Sequence, residues 1–537
     1  MNPQEQVRAY HRLSMHRPER PAPGPHGLDW ASQPAPFRRY AGCRLVELWQ
    51  RPLEQSPAYD TAFAAPQGAP APLDHLGISQ LLYDSLALSA WKEAGGSRWA
   101  LRVNPSSGNL HPTEAYLLLP PGALGEAGVL VHYCPEAHAL EVRAELPTAL
   151  GRQLAAALPA GGGLLALASI PWREAWKYGE RAWRYCQLDL GHAQAAVALA
   201  AGALGWQLRQ LGGLDERRLD SLFGVDRPGF AERELVDCLL YVGPPQAREF
   251  VLPAALVEAL ASLELDGTPN RLSPTQVEWP ELSRMLELGR APAQPAQGWA
   301  TPPGRATADN PQLLLRPLLH RRRSAQAYDA RSGIRAELLR AWLARLLPAS
   351  SPVPLGVAGA PAQVDLLLFV HRVQGLAPGL YWLARGNQAT EVLKTGLRDD
   401  FLWQRADAEL PLYRLLEGDA RGLAQFLSCD QDIASDGCVA FAMLARFDAA
   451  LAAGPWQYAE LYRECGRLGQ LLYLEAEAAG LSGTGIGCFF DLAVHELLGM
   501  ADSRWQNLYH FTIGKAQWDA RLSSLPAYPH LRWPPPR

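Results

Sequence analysis

The chain has 537 residues, of which 48% are hydrophobic and 19% charged, which suits packed cores of about two to four domains at ~150 residues each. Gly and Pro (47 and 45 residues) together stay below the ~25–30% of low-complexity chains, which excludes a disordered or fibrous protein. Lys and Arg (50) nearly balance Asp and Glu (54), so the net charge of −4 provides no basic excess for binding nucleic acid.

The N-terminal residues 1–20 are polar and lack the apolar core of a signal peptide. No apolar run approaches the ~18 residues that span a bilayer, so we expect neither a membrane nor a nucleic-acid partner. The eight cysteines are scattered along the sequence without close pairs or a Cys-x-x-Cys spacing. This pattern predicts reduced thiols in a cytoplasmic protein and no metal site.

Composition divides the chain into four segments. Residues 1–74 form an irregular N-terminal extension rich in Pro and Gly, and residues 75–250 form a first domain. A Pro-rich linker covers residues 251–312, with runs such as Ala291–Pro295 and Thr301–Gly304 that suit neither a strand nor a helix. Residues 313–537 form a second domain.

The two domains repeat the same order of elements: an amphipathic helix, a loop between prolines, an apolar strand, a long helix and a closing strand. The loop Pro105–Pro112 precedes the apolar run Tyr116–Leu119, and a loop of equal length, Pro354–Pro361, precedes Leu366–Phe369. The two prolines of each loop are the same distance apart and both lie 249 positions from their counterparts, which is typical of an internal repeat.

Later elements repeat as well. In each half a long helix with one apolar face ends at a glycine, Gly205 or Gly480, where a helix C-terminus tolerates that residue. Each half then closes on a strand that ends at Gly243 or Gly514. The sequence therefore predicts a fused duplicate, equivalent to a homodimer made covalent.

Several motifs lack the spacing of the sites that they resemble. His495–Gly499 has only one His of a zinc-protease helix, and Gly480–Thr484 lacks the last Gly of a nucleophile elbow. The run Gly483–Gly487 does not have dinucleotide-fingerprint spacing and follows a helix, so it indicates no Rossmann domain. The acidic residues of 430–436 lack calcium-loop spacing and read as a solvated loop.

Two loops are candidates for ligand binding. Ser106, Ser107, Gly108 and Asn109 offer short donors and acceptors between two stiffening prolines, and Gly lets a flat ligand approach closely. Arg322, Arg323 and Ser324 precede a predicted helix at about 334–347 and suit a phosphate group, since guanidinium forks bind it with charge-assisted hydrogen bonds. The alternatives are an ordinary turn and a solvated basic turn.

Together these segments resemble the FMN-dependent nitroreductase superfamily over most of residues 75–250 and 315–530. Residues 322–328 match that family's phosphate-binding opening, Pro105–Pro112 its flavin-ring loop, and Gly483–Gly487 its glycine stretch along the isoalloxazine. The C-terminal residues 513–528 also look like the family's C-terminus. The implied fold is α+β: two nitroreductase-like units, each a mainly antiparallel sheet wrapped by helices, fused as an intrachain pseudo-dimer.

A narrower similarity is to the azoline dehydrogenases of SagB/ThcOx type, which oxidise thiazoline or oxazoline rings in modified peptides. It is carried by Trp176–Tyr178, by Arg181 and Arg184–Tyr185, and by Asp189–His192. In that branch the Lys-Tyr pair is associated with catalysis, which makes Lys177 a candidate base and Tyr178 its support. An ordinary surface Lys beside a core Tyr is the alternative.

The resemblance implies a flavin oxidoreductase, in the leading interpretation a dehydrogenase that oxidises an azoline-like heterocycle or a C–N or C–C bond in peptide or natural-product maturation. Its substrate would be a small molecule or a peptide. One alternative is a reductase in which NAD(P)H reduces FMN and FMN reduces a nitroaromatic or quinone. Another is a degenerate scaffold that binds flavin or peptide without catalysis.

The resemblance also implies one FMN per chain, bound between the halves, in a protein that can work as a monomer. The predicted cofactor ligands are Ser106, Ser107, Gly108, Asn109, Arg322, Arg323, Ser324, Gly483, Thr484, Gly485, Ile486, Gly487, Lys515 and Arg521. A mirror site is not expected, because the second loop has Leu355, Gly356 and Ala358 at the equivalent positions and no Arg-Arg-Ser precedes the first domain's helix.

Overall fold

Two antiparallel sheets of seven strands, one in either half of the chain, organise the structure, a computed structural model that describes residues 1–64, 69–295, 299, 312–386 and 390–531. The strands of the first half are β1 (Tyr40–Ala41), β2 (Arg44–Glu47), β3 (Leu88–Ala94), β4 (Ser97–Arg102), β5 (Thr113–Leu119), β6 (Val129–Cys134), β7 (Ala139–Glu145), β8 (Gly163–Ser169), β9 (Gln207–Gln210), β10 (Leu235–Gly243) and β11 (Thr268–Pro269). Those of the second half are β12 (Ile334–Arg335), β13 (Val364–Val370), β14 (Val373–Gln374), β15 (Gly379–Leu383), β16 (Gln404–Arg405), β17 (Leu412–Glu417), β18 (Val439–Arg446), β19 (Ser482–Ile486), β20 (Trp505–Gly514) and β21 (Ser523–Leu525).

Helices surround both sheets. In the first half they are α1 (Pro3–Leu13), α2 (His75–Tyr83), α3 (Thr148–Ala157), α4 (Pro171–Tyr178), α5 (Ala182–Ala203), α6 (Glu216–Phe223), α7 (Ala254–Ala261) and α8 (Pro280–Leu288). In the second half they are α9 (Leu315–Arg321), α10 (Ala336–Arg345), α11 (Pro352–Leu355), α12 (Thr390–Lys394), α13 (Arg421–Leu427), α14 (Asp432–Asp436), α15 (Phe447–Ala453), α16 (Gln457–Ala478) and α17 (Asp491–Leu498). Where residues are described, no helix is long and apolar enough to cross a membrane.

The two sheets have the same strand order. The first runs β2-β7-β6-β5-β8-β10-β9 and the second β16-β17-β15-β13-β18-β20-β19. The central strands β5 and β13 are fully buried and hold the predicted apolar runs, and the closing strands β10 and β20 end at the predicted glycines. The predicted α+β fold with two fused, equivalent units is confirmed.

Two buried helices of 22 residues, α5 and α16, form the centre of the contact between the halves. Gly191 and Gly466 each stand at the tenth position of their helix and meet where the helices cross. A Cβ on Gly191 would lie 2.1 Å from the Arg463 carbonyl oxygen, and one on Gly466 would lie 2.2 Å from that of Leu188. The equal positions make the crossing pseudo-twofold.

Side chains extend this interface on the N-terminal side of the crossing in both helices. The ring of Trp183 stacks on Tyr458 with 4.8 Å between centroids. Arg463 Nε donates to Gln187 Oε1 at 2.7 Å. A single hydrophobic core includes apolar residues of both helices, so the halves share a core and do not merely touch.

Both ends of the chain reach the opposite half. Helix α1 packs on the second half, where His11 Nδ1 lies 2.8 Å from the Tyr458 hydroxyl. From the other end, β21 pairs with β3 of the first half, and the buried Tyr528 hydroxyl accepts from the Leu88 backbone N–H at 2.7 Å. Each end of the chain therefore packs on the half that is distant from it in sequence, across the predicted boundaries at residues 74 and 313.

The predicted linker is structured where it is described. Its residues 254–261 and 280–288 form α7 and α8, and β11 pairs with β1 of the extension. The run Ala291–Pro295 has no helix or strand, whereas Thr301–Gly304 lies outside the described residues.

Candidate functional site

A cavity of about 520 Å³ lies between the two halves and receives side chains from both. Most of the residues predicted to bind the cofactor line it, namely Ser106, Ser107, Gly108, Asn109, Arg322, Arg323, Ser324, Thr484, Gly485, Ile486 and Gly487. Tyr178 lines it as well. This volume lies within the ~300–1,000 Å³ typical of ligand sites. We call this space the interface cavity.

The loop before β5 contributes one wall of the interface cavity. Gly108 and Asn109 have positive φ angles of 58° and 60°, so the loop turns through the left-handed region. The Asn109 side chain donates to the Ala100 carbonyl at 2.9 Å, and the Ser106 hydroxyl accepts from the His111 backbone N–H at 2.8 Å. These polar side chains hold the shape of the loop.

Asp189, on α5, holds the same loop in place through hydrogen bonds. The Ser107 backbone N–H and hydroxyl donate to its carboxylate at 3.0 and 2.8 Å. Asp189 is buried, and the desolvation of its carboxylate raises the pKa to about 7, while the hydrogen bonds from Ser106 and Ser107 oppose the rise. A carboxyl that titrates near neutral pH at a cavity wall is a candidate for proton transfer. Asp189 belongs to the motif Asp189–His192, which by itself indicated no role for this carboxyl.

Arg322 and Arg323, which directly follow α9, form a second wall of the interface cavity. Arg322 is 4% exposed, and its Nε and Nη2 donate to the carbonyls of Val103 and Arg102 in the first half, each at 3.1 Å. Arg323 donates to the carbonyls of His320 and Ser89 at 2.8 and 3.2 Å. Burial lowers the pKa of both guanidinium groups, that of Arg323 to about 10.

Arg322 and Arg323 have no carboxylate partner in the part of the chain that the structure describes. Among the described residues no Asp or Glu oxygen lies within 4.0 Å of the Arg322 or Arg323 guanidinium, whereas Arg321 pairs with Glu477 at 3.0 Å. A buried and a partly buried cation with no carboxylate partner among the described residues favour an anionic ligand, because an uncompensated charge away from water is costly. Ser324 completes this wall and shares a 2.8 Å hydrogen bond with the Tyr473 hydroxyl.

The glycine stretch forms the edge strand β19 opposite the arginines. A backbone bridge joins Gly483 to Ser324, and Gly483 packs against Phe511 and does not line the interface cavity. A Cβ on Gly485 would clash with the Tyr509 hydroxyl, and one on Gly487 would lie 2.2 Å from the Tyr185 ring. Because these two glycines have no side chain, the tyrosine rings of the cavity wall can pack against their backbone. The sequence alone did not indicate these contacts.

Lys177 and Tyr178 end α4 beside the same Pro105–Pro112 loop. A Cβ on Gly108 would lie 2.6 Å from the Tyr178 hydroxyl and 3.3 Å from Lys177 Nζ. Burial, with the nearby Glu174 carboxyl, raises the pKa of Tyr178 well above its usual value, so its phenol stays protonated and can donate. Lys177 Nζ lies 5.3 Å from the Tyr178 ring centroid but is not among the lining residues.

Besides Gly483, two predicted cofactor ligands do not line the interface cavity. Lys515 Nζ donates to the Gly480 carbonyl at 3.3 Å, and the Arg521 side chain is 87% exposed and pairs with Asp519. Their neighbours Trp518 and Leu522 do line the cavity, so the C-terminal segment contributes other residues than those predicted.

Arg181 and Arg184, which carry part of the narrower similarity, share one carboxylate partner. Both guanidinium groups pair with the buried Asp491 of the second half, at 3.2 and 2.6 Å, and these cations lower the pKa of Asp491 to about 2 against the opposing effect of burial. These ion pairs connect the two halves next to the interface cavity.

Aromatic rings complete the lining of the interface cavity, namely Trp99, Tyr185, His192, Tyr473, Tyr509 and Trp518. Tyr185 and His192 stand in the motifs of the narrower similarity, which indicated no role for them. His192 Nε2 lies 3.1 Å from the Tyr509 hydroxyl, which joins α5 to β20 across the interface. No local spacing marks Trp99, Tyr473, Tyr509 and Trp518, since they come from four distant segments of the chain.

The residues present fit FMN. Arg322, Arg323 and Ser324 suit its phosphate, and the flat aromatic walls suit its ring system. Two buried polar atoms at the cavity, Asn104 Oδ1 and Arg102 Nε, have no hydrogen-bond partner within the described part of the chain. Such atoms need a polar ligand or water.

The mirror position differs. Leu355 and Gly356 of the second loop line a separate cavity of about 750 Å³, together with Arg385 and Arg446. Arg385 pairs with Glu464 at 2.6 Å and Arg446 with Asp365 at 3.4 Å, so both guanidinium groups are compensated. This position has no pair of adjacent, uncompensated arginines among the described residues.

Comparisons with known proteins agree with this architecture. Residues 88–243, in the first half of the chain, match the nitroreductase family model. A candidate nitroreductase from Anabaena variabilis of known structure is 23% identical, and the match covers 95% of this chain and 99% of that one with a TM-score of 0.68. The fold therefore extends over the full length of both chains.

More distant structures match parts of the chain. The Escherichia coli microcin synthetase McbBCD complex with truncated pro-MccB17 is 20% identical over 37% of this chain and 71% of that one, with a TM-score of 0.27. The NADPH:FMN oxidoreductase of Vibrio harveyi is 14% identical over 36% and 66%, with a TM-score of 0.21. Scores this low carry no conclusion about this chain. Comparison with curated protein sequences gave no match.

Proposed function

We propose that the protein is an FMN-dependent oxidoreductase, specifically a dehydrogenase that takes two electrons from an azoline-like heterocycle or a C–N or C–C bond in a peptide or natural product. The observation that carries this proposal is the interface cavity, where the Ser106–Asn109 loop of one half faces Arg322–Ser324 of the other. The nitroreductase family domain at residues 88–243 supports the oxidoreductase class.

FMN would supply two-electron redox chemistry when bound. Arg322, Arg323 and Ser324 would hold its phosphate, and the loop Ser106–Asn109 and strand β19 would flank its ring system. Because these groups come from different halves, one composite site forms in each chain. The protein provides geometry and electrostatics, and the electron transfer is the cofactor's.

The proton that must leave the substrate has three candidate carriers beside the loop. Lys177 is the proposed base, and the protonated Tyr178 phenol donates a hydrogen bond that stabilises developing negative charge. Asp189, whose pKa is about 7, exchanges protons near neutral pH without large cost. Its hydrogen bonds to Ser107 also couple its protonation to the position of the loop.

Exposed rings at the open side of the cavity support this substrate class. Trp99 lies on β4, and Trp518 and Leu522 precede β21, which pairs with β3 across the halves. Trp518 is 58% exposed, so an apolar surface continues from the cavity to solvent. A flat heterocycle would stack on such rings while the rest of a peptide stays outside.

Two measurements test the proposal. Purified protein should carry flavin, with one FMN per chain by absorbance after denaturation. Mixed anaerobically with NADPH, the flavin should stay oxidised, whereas a thiazoline-containing peptide should bleach it and lose two hydrogens in mass. Rapid bleaching by NADPH would favour the nitro- or quinone-reductase alternative, and protein that binds no flavin when FMN is supplied would favour a non-catalytic scaffold.

A further inference from the structure

Two cysteines that are 59 positions apart in sequence meet beside the interface cavity. Cys429 follows α13 and Cys488 lies between β19 and α17, and their Sγ atoms are 2.7 Å apart. A disulfide bond is about 2.0 Å long, so a small approach of the sulfurs suffices to form one. Both are free thiols in the structure.

The backbone holds the pair in place. The Phe490 N–H donates to the Leu427 carbonyl at 2.9 Å, which aligns the two segments. The Gln431 side chain donates to the Cys488 carbonyl at 3.0 Å and to the Ser428 carbonyl at 2.6 Å, and so ties both segments together. The positive φ of 56° at Cys429 marks a sharp turn at this point.

Cys488 is accessible and electrostatically activated. It is exposed and lines the interface cavity, whereas five of the other cysteines are buried. A hydrogen bond from Cys429, assisted by His16 and Arg181, lowers the pKa of the Cys488 thiol below its usual value. Desolvation by burial raises the pKa of Cys43, the other partly exposed thiol outside the pair. A thiolate is the reactive form of cysteine.

We propose that Cys429 and Cys488 are a redox-active dithiol that forms a reversible disulfide at the wall of the interface cavity, with a low-molecular-weight disulfide of the glutathione class as oxidant. The Cys488 thiolate attacks one sulfur of that disulfide, breaks its S–S bond and releases one thiolate. Cys429 then loses its proton and attacks Cys488 Sγ, which releases the second thiolate.

The exchange balances without a cofactor. The protein dithiol loses two electrons and two protons, and the small disulfide gains them as two thiols. A reduced small-molecule dithiol reverses the reaction. The inference rests on the sulfur pair and not on the proposed flavin chemistry, so each can fail independently.

The test is a thiol count on the full chain. Protein equilibrated with increasing ratios of oxidised to reduced glutathione is quenched in acid, denatured and alkylated with N-ethylmaleimide for intact-mass and peptide analysis. We expect eight alkylated cysteines in reduced protein and six in oxidised protein, with Cys429 and Cys488 joined in one cross-linked peptide. Eight alkylated cysteines at every ratio, or a cross-link between other cysteines, would overturn the proposal.

Variants assign the two roles. In Cys429→Ser we expect Cys488 to stop at a mixed disulfide with one glutathione, and in Cys488→Ser we expect no protected thiol. Cys43→Ser is the matched control and should retain the cross-linked pair. In native reduced protein, iodoacetamide should label Cys488 at least ~10-fold faster than Cys43; equal rates would contradict the activation of Cys488.

Discussion

At the residue scale, proton-handling groups gather around one loop. Lys177 and Tyr178 reach it from the end of α4, and Asp189 holds it from α5. Glu174, one turn before Tyr178, is buried with both carboxyl oxygens unpartnered among the described residues, and burial raises its pKa well above the usual value. The loop thus sits among groups whose protonation depends on each other.

Removal of the proposed base should affect turnover and not cofactor binding. Lys177→Ala is expected to keep its flavin, since Lys177 does not line the interface cavity, and to lower the oxidation rate of a thiazoline peptide by ~10²-fold, the scale of general-base loss. Tyr178→Phe should cost less, about 10-fold, because only a supporting hydrogen bond is lost. Lys394→Ala, on the exposed helix α12, is the control. Unchanged turnover in Lys177→Ala would remove Lys177 from the mechanism.

Asp189 should make the protein less stable as the pH rises. Its folded pKa of about 7 exceeds the unfolded value of ~3.9, so the folded state binds the extra proton between these values and loses stability as pH increases through that window. Asp189→Asn abolishes this contribution. The stability of the variant relative to wild type should therefore increase by about 2–3 kcal/mol from pH 5 to pH 8.

Urea unfolding of both proteins at equal flavin content measures this difference. Asp329→Asn is a suitable control, because hydrogen bonds lower the pKa of the exposed Asp329, which is ionised throughout this pH range in either state. A difference between Asp189→Asn and wild type that is the same at both pH values would show that Asp189 titrates normally.

At the scale of elements, the crossing of α5 and α16 determines how the halves meet. Gly191 and Gly466 let the two backbones touch, and the Arg463–Gln187 hydrogen bond and the Trp183–Tyr458 stack lie N-terminal to the crossing on both helices. The same crossing positions Asp189 and His192 at the interface cavity, because both project from α5 within one turn of Gly191. The contact between the halves and the site thus share one element.

A methyl group at this crossing should separate the helices. We expect Gly191→Ala to destabilise the protein by at least ~2 kcal/mol and to weaken flavin binding, because its Cβ would lie 2.1 Å from a backbone oxygen that cannot move alone. Gly422→Ala, in the helix α13 with nothing within 4 Å of its Cβ, should leave the thermal midpoint unchanged or raise it slightly. Equal midpoints for the two variants would contradict the close crossing.

At the scale of the whole molecule, both chain ends reinforce the duplication. Helix α1 packs on the second half, and the C-terminal strand β21 extends a hairpin of the first half at the mouth of the interface cavity. Each half therefore supplies part of the other's structure, and the composite site depends on both. We propose that the protein works as a single chain for this reason.

The expected solution state is a monomer with one flavin. Sedimentation of the flavin-loaded protein should give a mass near 58.7 kDa, with the flavin absorbance moving with that species. The mirror cavity lacks adjacent uncompensated arginines among the described residues, so a second FMN should not bind. An obligate dimer that loses its flavin on dissociation, or two flavins per chain, would contradict this prediction.

Local sequence pattern determined the elements of this protein and their repetition. Apolar runs, helix-ending glycines and proline-bracketed loops specify strands, helices and turns through the few residues next to them, and these were confirmed in both halves. The loop Pro105–Pro112 and Arg322–Ser324 were likewise identified from short motifs, and both lie at the interface cavity.

Only the tertiary structure decided which side chains share the site. Asp189, Tyr473, Tyr509 and Cys488 come from separate segments, and no periodicity records that α5, α16, β19 and β20 converge. Lys515 and Arg521, which motif position predicted as cofactor ligands, do not line the interface cavity, since Lys515 Nζ contacts the Gly480 carbonyl and Arg521 pairs with Asp519. Burial by distant segments also sets the pKa of Asp189, since desolvation depends on everything that surrounds a carboxyl and not on its neighbours in sequence.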